Sequence, residues 1–152
     1  LASLHAVEVE VVGCDLTTAE GRTTLVAATA DREVGMLVNN AGFGTVGDFV
    51  TADPDRMAEE IALNCGAVAL LARAYAPAMV ARGRGAIVNV ASTAAFQPLP
   101  SMAVYAATKA FVLSLSQALW HELRPSGVSV LGLCPGATDT HFFHAAGDNG
   151  VR

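Results

Sequence analysis

The stretch "VGMLVNNAG" (residues 34–42) is a short aliphatic run that ends in small polar residues and a glycine. A run of this length, bounded by turn residues, predicts a strand that is buried on both faces. Two further runs have the same character, "GRGAIVNVAS" (83–92) and "VSVLGLCPG" (128–136), and they predict strands over 86–91 and 128–134. Strands of this mostly aliphatic kind favour a parallel sheet.

Helical patterns separate these strands. The segment 17–30 predicts a helix capped by Thr17 or Thr18, and apolar residues at steps of three and four predict long helices over 53–82 and 102–124. Alternation of strands and helices indicates an α/β fold, in which a parallel sheet is covered by helices on both faces. No internal repeat or linker divides residues 1–152, so we expect a single domain.

The composition limits the classes of function. Of the 152 residues, 53% are hydrophobic and 15% are charged, and the formal net charge is −5. The chain is therefore globular, and without a basic cluster it is not expected to bind nucleic acid. The three cysteines show no disulfide framework, which fits a reducing cytoplasm. The most apolar stretch, 61–81, is interrupted by Asn64, Arg73 and Pro77, so we expect no membrane span.

The stretch "YAATK" (105–109) contains the only lysine of the chain. On a helix Tyr105 and Lys109 lie on one face, and a nearby ammonium group favours the phenolate form of tyrosine. Such a pair can serve proton transfer, but the same spacing also arises by accident. His141 and His144 have no third ligand at a recognisable spacing, so no metal site is expected.

Polar residues stand at the strand ends and inside one helix. Ser92 ends the strand before "YAATK" and can donate to a substrate oxygen, or it is an ordinary turn residue. The segment 39–42, "NNAG", permits close approach of a flat ligand. Asn64 lies within an apolar helix, where it either bonds to nearby backbone or holds a water in a proton relay. In open parallel sheets, ligands bind beyond the carboxyl ends of the strands, so these residues should converge at one rim.

Asn64, Ser92 and "YAATK", together with "NNAG" and "PGATDT" (135–140), resemble the classical short-chain dehydrogenase/reductase family. The resemblance runs over about residues 7–141. It implies a doubly wound Rossmann-type sheet and an enzyme that transfers hydride between NAD or NADP and a ketone or alcohol. Neither the substrate nor the choice between the two cofactors follows from these residues.

The resemblance also implies individual roles. Tyr105 would be the general acid/base, Lys109 would lower its pKa and bind the nicotinamide ribose, Ser92 would bind the substrate oxygen, and Asn64 would hold the proton path. Gln97, Pro98 and Leu99 fall where the family lines its substrate pocket. The expected cofactor contacts, besides Tyr105 and Lys109, are Asp15, Asn39, Ala41, Gly42, Pro135, Gly136, Thr138 and Thr140. Asp15 could equally be a helix cap, and "PGATDT" an ordinary turn.

The sequence departs from the family at both ends. The glycine-rich phosphate loop TGxxxGxG does not occur, and the C-terminal helix and strand of the family have no counterpart. We therefore expect residues 1–152 to form a partial Rossmann domain, the middle section of a longer protein. The alternating segment "VEVEVV" (7–12) predicts a strand with one wet face, and it matches a strand whose partner is missing. It should be unpaired or paired non-natively.

Three functions fit these residues to different degrees. The leading interpretation is a cytoplasmic oxidoreductase that acts on a small carbonyl or alcohol, although this chain alone is expected to be inactive. The family associates through the helices that correspond to 53–82 and 102–124, so a homodimer or homotetramer is expected. The alternative is a catalytically incompetent fragment that acts only as an oligomerisation module. A sugar-nucleotide epimerase shares the tyrosine and lysine but fits "NNAG" and "PGATDT" less well.

Overall fold

A computed structural model describes residues 7–138, and its centre is a sheet of three parallel strands. The strands are β1 (Met36–Asn39), β2 (Gly85–Val90) and β3 (Val128–Leu133), in the order β1-β2-β3. Each starts or ends within two residues of the predicted position. The α/β class and the parallel sheet predicted from the sequence are confirmed.

The described residues form three α-helical elements, and the two long ones pack against the sheet. Helix α1 (Ala19–Ala28) is capped by Thr18, one of the two predicted residues, whose hydroxyl accepts a hydrogen bond from the Gly21 amide at 3.0 Å. Helix α2 (Pro54–Ala81) opens with a proline that needs no amide partner in the first turn. Helix α3 (Ala103–Leu123) ends in a 3₁₀ turn, Arg124–Ser126.

Helix α2 contains an irregular turn. Its central section, Ala62–Ala67, is a π-helix, whereas Pro54–Ile61 and Val68–Ala81 are α-helical. The wider turn rotates the preceding helix relative to the following one. As a result Ile61, one of the apolar residues at steps of three and four over 53–82, is 49% exposed, while the neighbouring Glu60 is fully buried.

The core lies between the long helices and one face of the sheet. Its larger cluster comprises Ala72, Met79, Ile87, Val128 and Val130. The opposite face of β1 is open within the described residues: Met36 is 58% and Val38 is 53% exposed. The prediction that this strand is buried on both faces is therefore wrong, because no described element packs over those side chains.

Residues 7–12 do not form a strand, contrary to the prediction from their alternating pattern. None of the described strands pairs with them, as expected for a strand without its partner. Alternation alone does not make a strand, because the backbone groups of a strand need a neighbour. Instead Glu8 and Glu10 pair with Arg32 at 3.8 and 2.7 Å, respectively.

Helix α2 is long and apolar enough, by length and composition, to cross a membrane, which the sequence analysis did not predict. In the fold it is a core helix. Val68, Leu71 and Met79 are buried on the side that packs against the sheet and helix α3. Core helices of globular proteins commonly have this composition, so the observation is weak evidence for a membrane span.

Candidate active site

The loops that follow β2 and β3 lie side by side at the carboxyl edge of the sheet. The Ala91 amide donates to the Leu133 carbonyl at 2.7 Å, and the Thr93 amide donates to the Pro135 carbonyl at 2.9 Å. These bonds extend the strand pairing past the ends of the strands. The convergence at one rim, expected from the sequence, is thus present for these two loops.

Ser92 stands between these two bonds and faces Tyr105. Its hydroxyl oxygen accepts a hydrogen bond from the Ala94 amide at 3.1 Å, which caps the 3₁₀ turn Thr93–Phe96. The same hydroxyl is hydrogen-bonded to the Tyr105 phenol. Burial raises the pKa of Tyr105, and the bond from Ser92 only partly opposes this effect. In the free chain the phenol is therefore protonated at neutral pH.

Lys109 lies one helical turn beyond Tyr105 and is only 6% exposed. Its Nζ donates a hydrogen bond to the Val90 carbonyl at 2.8 Å and lies 5.7 Å from the centre of the Tyr105 ring. Burial lowers the pKa of Lys109, while Cys65 and Glu60 act to raise it. One of the three ammonium donors is used by the protein, so two remain for a ligand.

Asn64 lies in the π-helical turn of α2 and is 1% exposed. Its side chain accepts from the Phe43 amide at 3.2 Å and donates to the Phe43 carbonyl at 2.8 Å. It also donates to the Thr108 hydroxyl of helix α3 at 3.1 Å. The amide therefore fastens the loop after β1 to both long helices. Its partners lie 21 and 44 residues away along the chain, so this is not the bonding to nearby backbone considered from the sequence, and its place in a proton path stays a prediction.

Gly42 provides the closest approach of this loop to the site. A Cβ atom at this position would lie 2.9 Å from Asn64 Oδ1 and 3.6 Å from Lys109 Nζ. The absent side chain thus leaves room between this loop, Asn64 and the lysine ammonium group. A glycine at such a point permits close approach of a ligand, and the cofactor contacts expected of Gly42, Tyr105 and Lys109 stay predictions.

Asn39 and Asp15 were predicted to contact the rest of the cofactor, and their side chains bond elsewhere in the described structure. The Asn39 side chain points into the core, where it donates to Asn89 Oδ1 at 2.9 Å, so only its backbone faces the rim. The Asp15 carboxylate is exposed and accepts two bonds from Thr17, which lower the pKa of Asp15. These assignments remain predictions.

The other predicted cofactor residues follow the strands. Ala41 is exposed in the loop after β1, and Pro135, Gly136 and Thr138 follow β3. In that loop the Thr138 hydroxyl donates to the Gly136 carbonyl at 3.1 Å. Thr140 lies outside the described residues.

Sequence reasoning missed four polar residues that support the site. Thr108 holds Asn64, and a buried chain of hydrogen bonds runs from Asn39 through Asn89 to Ser116. Glu60 is buried one helical turn before Asn64. Their only signal was a polar residue at a core position of a strand or helix. That signal became visible once the buried face was known.

A groove of about 620 Å³ lies beside the site, between the loop after Ser92 and the start of helix α3. Gln97, Pro98 and Leu99, which the resemblance placed at the substrate pocket, line this groove. Within residues 7–138 no group of three His, Cys, Asp or Glu side chains could hold a metal ion. His141 and His144 lie outside the described part of the chain.

Comparison with solved structures supports the fold. A short-chain dehydrogenase from Sphingobium yanoikuyae, in complex with NADPH, is 40% identical and superimposes with a TM-score of 0.91 over 96% of this chain and 57% of that one. The bulky-bulky ketone specific alcohol dehydrogenase from Comamonas testosteroni is 38% identical, with a TM-score of 0.86 over 90% of this chain and 55% of that one. The sheet is thus a partial doubly wound Rossmann-type sheet.

Sequence comparisons agree. The probable oxidoreductase EphD of Mycobacterium tuberculosis is 39% identical over 118 residues, which are 74% of this chain and 20% of that protein. The chain therefore spans a fifth of this relative and just over half of the solved structures. The family model for the short chain dehydrogenases, which are NAD(P)-dependent oxidoreductases, matches residues 1–149. Because this match covers nearly its whole length, the chain belongs to the short-chain dehydrogenase family.

Proposed function

We propose that the protein reduces the carbonyl group of a small ketone, or oxidises the corresponding alcohol, with Tyr105 as general acid/base. The observation that carries the proposal is the contact of Tyr105 with Ser92 on one side and Lys109 on the other, at the carboxyl edge of the sheet. An alcohol dehydrogenase and a short-chain dehydrogenase bound to NADPH are among its solved relatives, which supports a nicotinamide cofactor.

Ser92 and Tyr105 would act together on the substrate oxygen. Both hydroxyl groups can donate to a carbonyl oxygen, which polarises the carbonyl bond. Because burial keeps the phenol protonated, Tyr105 can then give its proton to that oxygen as the alkoxide forms. The reduced nicotinamide would supply the hydride to the carbonyl carbon.

Lys109 would bind the cofactor and hold charge near the phenol. Its two unused donors can reach a ribose hydroxyl, while the bond to the Val90 carbonyl fixes the ammonium group in place. The positive charge favours the phenolate that remains after proton donation. Asn64 positions this arrangement by fastening helix α3 to the loop that contains Gly42.

The experiment compares the two tyrosines of the chain. Wild-type protein is titrated with NADPH and NADH by fluorescence and then assayed for cofactor oxidation with a panel of ketones. Tyr105→Phe should retain cofactor binding and lose activity by about 10²–10⁴-fold. Tyr75→Phe is the matched control, because Tyr75 bonds to Thr29 away from the rim. Turnover by Tyr105→Phe at the wild-type rate would contradict the proposed role of Tyr105. No saturable binding of either cofactor would contradict the proposal for this chain and would agree with the expectation from the sequence that residues 1–152 alone are inactive.

We also propose that the protein associates through its two long helices. Their outer faces carry large exposed apolar side chains, including Leu70 on α2 and Phe111 on α3. Light scattering of the purified chain tests this, and a monomer at micromolar concentration would contradict it. The alternative of a purely structural oligomerisation module is not favoured, because the Ser92, Tyr105 and Lys109 contacts are intact.

The cytoplasm is the compartment that we propose. All three cysteines are free thiols in the structure, and free thiols are typical of reducing compartments. A search for disulfides in protein isolated from its native cells tests this, and oxidised cysteines would contradict it.

A further inference from the structure

Glu60 is a buried carboxyl group that the proposed function does not use. It is 0% exposed, and neither of its oxygens has a hydrogen-bond partner among the described residues. Buried carboxyl groups are nearly always paired, so an exception needs an explanation. Glu60 precedes Asn64 by four residues on α2 and therefore lies on the same side of the helix, towards helix α3.

Several groups surround this carboxyl. Arg56 lies one turn earlier on the same helix, Lys109 faces it from α3, and both favour its charged form. The hydroxyl and the backbone amide of Thr45 approach the carboxyl from the loop after β1 and favour its charged form, but neither completes a hydrogen bond of normal geometry. Cys65 and Tyr105 are the other titratable groups within electrostatic reach. Glu60 therefore lies on the buried side of Tyr105 and Lys109.

Lys109 needs such a neighbour. Lys109 is 6% exposed, and its ammonium group donates to a backbone carbonyl, so burial disfavours its charged form and lowers its pKa. Water and salt screen an exposed carboxylate, whereas a buried carboxylate is screened less and acts more strongly on a neighbouring charge. Two acidic groups among the described residues raise the pKa of Lys109, the Cys65 thiol and the Glu60 carboxyl. Burial raises the pKa of Cys65, which keeps that thiol uncharged at neutral pH, so Glu60 is the carboxylate that can balance the ammonium charge.

We propose that Glu60 is the buried counter-charge of Lys109 and holds its ammonium group in the charged form inside the protein. Glu60 is thus a positioning residue, because it acts on the reaction through Lys109 and does not touch the substrate. Its own burial opposes ionisation, so the two groups support one another's charge. The carboxylate also disfavours the phenolate of Tyr105 and so helps to keep the proton that a ketone reduction consumes.

The single lysine of the chain allows a direct test. Protein labelled with ¹³Cε-lysine gives one lysine signal, whose chemical shift during a pH titration reports the ionisation of Lys109. Glu60→Gln should move the midpoint of this titration to lower pH. Glu59→Gln is the matched control: Glu59 is the adjacent acid on the same helix, but it is exposed, and its removal should leave the midpoint unchanged. Equal midpoints for the two variants would overturn the proposal.

Two further measurements test the proposal even if Glu60→Gln does not fold. Glu60→Met replaces the carboxyl with an apolar chain of similar length and should lower the midpoint in the same way. In the wild-type chain, which needs no substitution, the lysine signal should show a second inflection at acidic pH, where Glu60 takes up its proton. A lysine signal that is flat in the acidic range would count against the proposal.

The consequence for catalysis rests on the proposed function, whereas the lysine titration does not. If the wild-type protein reduces ketones, Glu60→Gln should shift the pH profile of kcat to lower pH, and Glu59→Gln should not. An inactive wild type would refute the proposed function and leave the counter-charge to be decided by the titration. An active wild type with an unmoved lysine midpoint would refute the counter-charge alone.

Discussion

Gly42→Ala is the substitution that tests the site geometry most directly. The new methyl group would lie 2.9 Å from Asn64 Oδ1 and 3.6 Å from Lys109 Nζ. Gly42 does not have a left-handed backbone conformation, so alanine causes no backbone strain there. The effect must come from the contact with Asn64, whose amide would have to move by a few tenths of an ångström or more.

The expected loss of stability follows from the hydrogen bonds that the Asn64 side chain makes. Its amide makes two hydrogen bonds to the Phe43 backbone, at 2.8 and 3.2 Å, and each contributes about 1 kcal/mol to stability. Replacing glycine with alanine offsets about 0.4–1 kcal/mol of this loss, because the unfolded chain has fewer conformations to lose. The expected net destabilisation is about 1–1.5 kcal/mol, which lowers Tm by about 2–6 °C for a chain of this size.

The assay is thermal and urea unfolding followed by circular dichroism, with Gly35→Ala as the control. Gly35 stands just before β1, and an alanine methyl group there would have no neighbouring atom within 4 Å. Its backbone is not left-handed either. The control should leave stability unchanged or raise it by up to about 1 kcal/mol. If Gly42→Ala is as stable as Gly35→Ala, the clamp of Asn64 on the loop does not have the energetic role assigned to it.

Three further substitutions test other parts of the molecule. Tyr105→Phe should lower turnover by about 10²–10⁴-fold with no change in the unfolding midpoint, and a matching loss of stability would assign Tyr105 a structural role instead. Ser116→Ala should destabilise the chain by about 1–3 kcal/mol, because it leaves the buried Asn89 amide without an acceptor, whereas the exposed Ser114→Ala should cost less than about 0.5 kcal/mol. Burial raises the pKa of Glu60 above its ordinary value of 4.5, so the folded state binds the proton more tightly and its stability should fall as the pH rises through and above 4.5. Glu60→Gln should remove this part of the slope in urea unfolding between pH 4 and 8, and parallel slopes for the two proteins would refute that assignment.

The sequence predicted the elements well, because their signals are local. Thr18 and Pro54 mark helix starts by capping chemistry that depends on a few neighbouring residues. The strands β2 and β3 were found from aliphatic runs between turn residues. Tyr105 and Lys109 followed from helical spacing, and Ser92 from its place at a strand end.

The features that were missed depend on tertiary structure. The π-helical turn in α2 has no signal in the apolar pattern. The regular spacing of apolar residues therefore includes the exposed Ile61 and gives no sign that Glu60 is buried. The open face of β1 could not be read from Met36 and Val38, because apolar side chains do not reveal what covers them. The alternation in residues 7–12 was real, but without a pairing strand it produces no sheet.

The contrast between Asn64 and Glu60 explains why the second is the more informative residue. Both lie buried on the same side of α2, and Asn64 makes three hydrogen bonds that fasten the loop after β1 and helix α3. Its burial is therefore explained by structure alone. Glu60 makes none in the described residues, and an apolar residue of similar size would avoid the cost of burying its carboxyl. A buried carboxyl without a hydrogen bond among the described residues, which acts electrostatically on the only lysine of the chain, is best explained by the charge that it provides to Lys109.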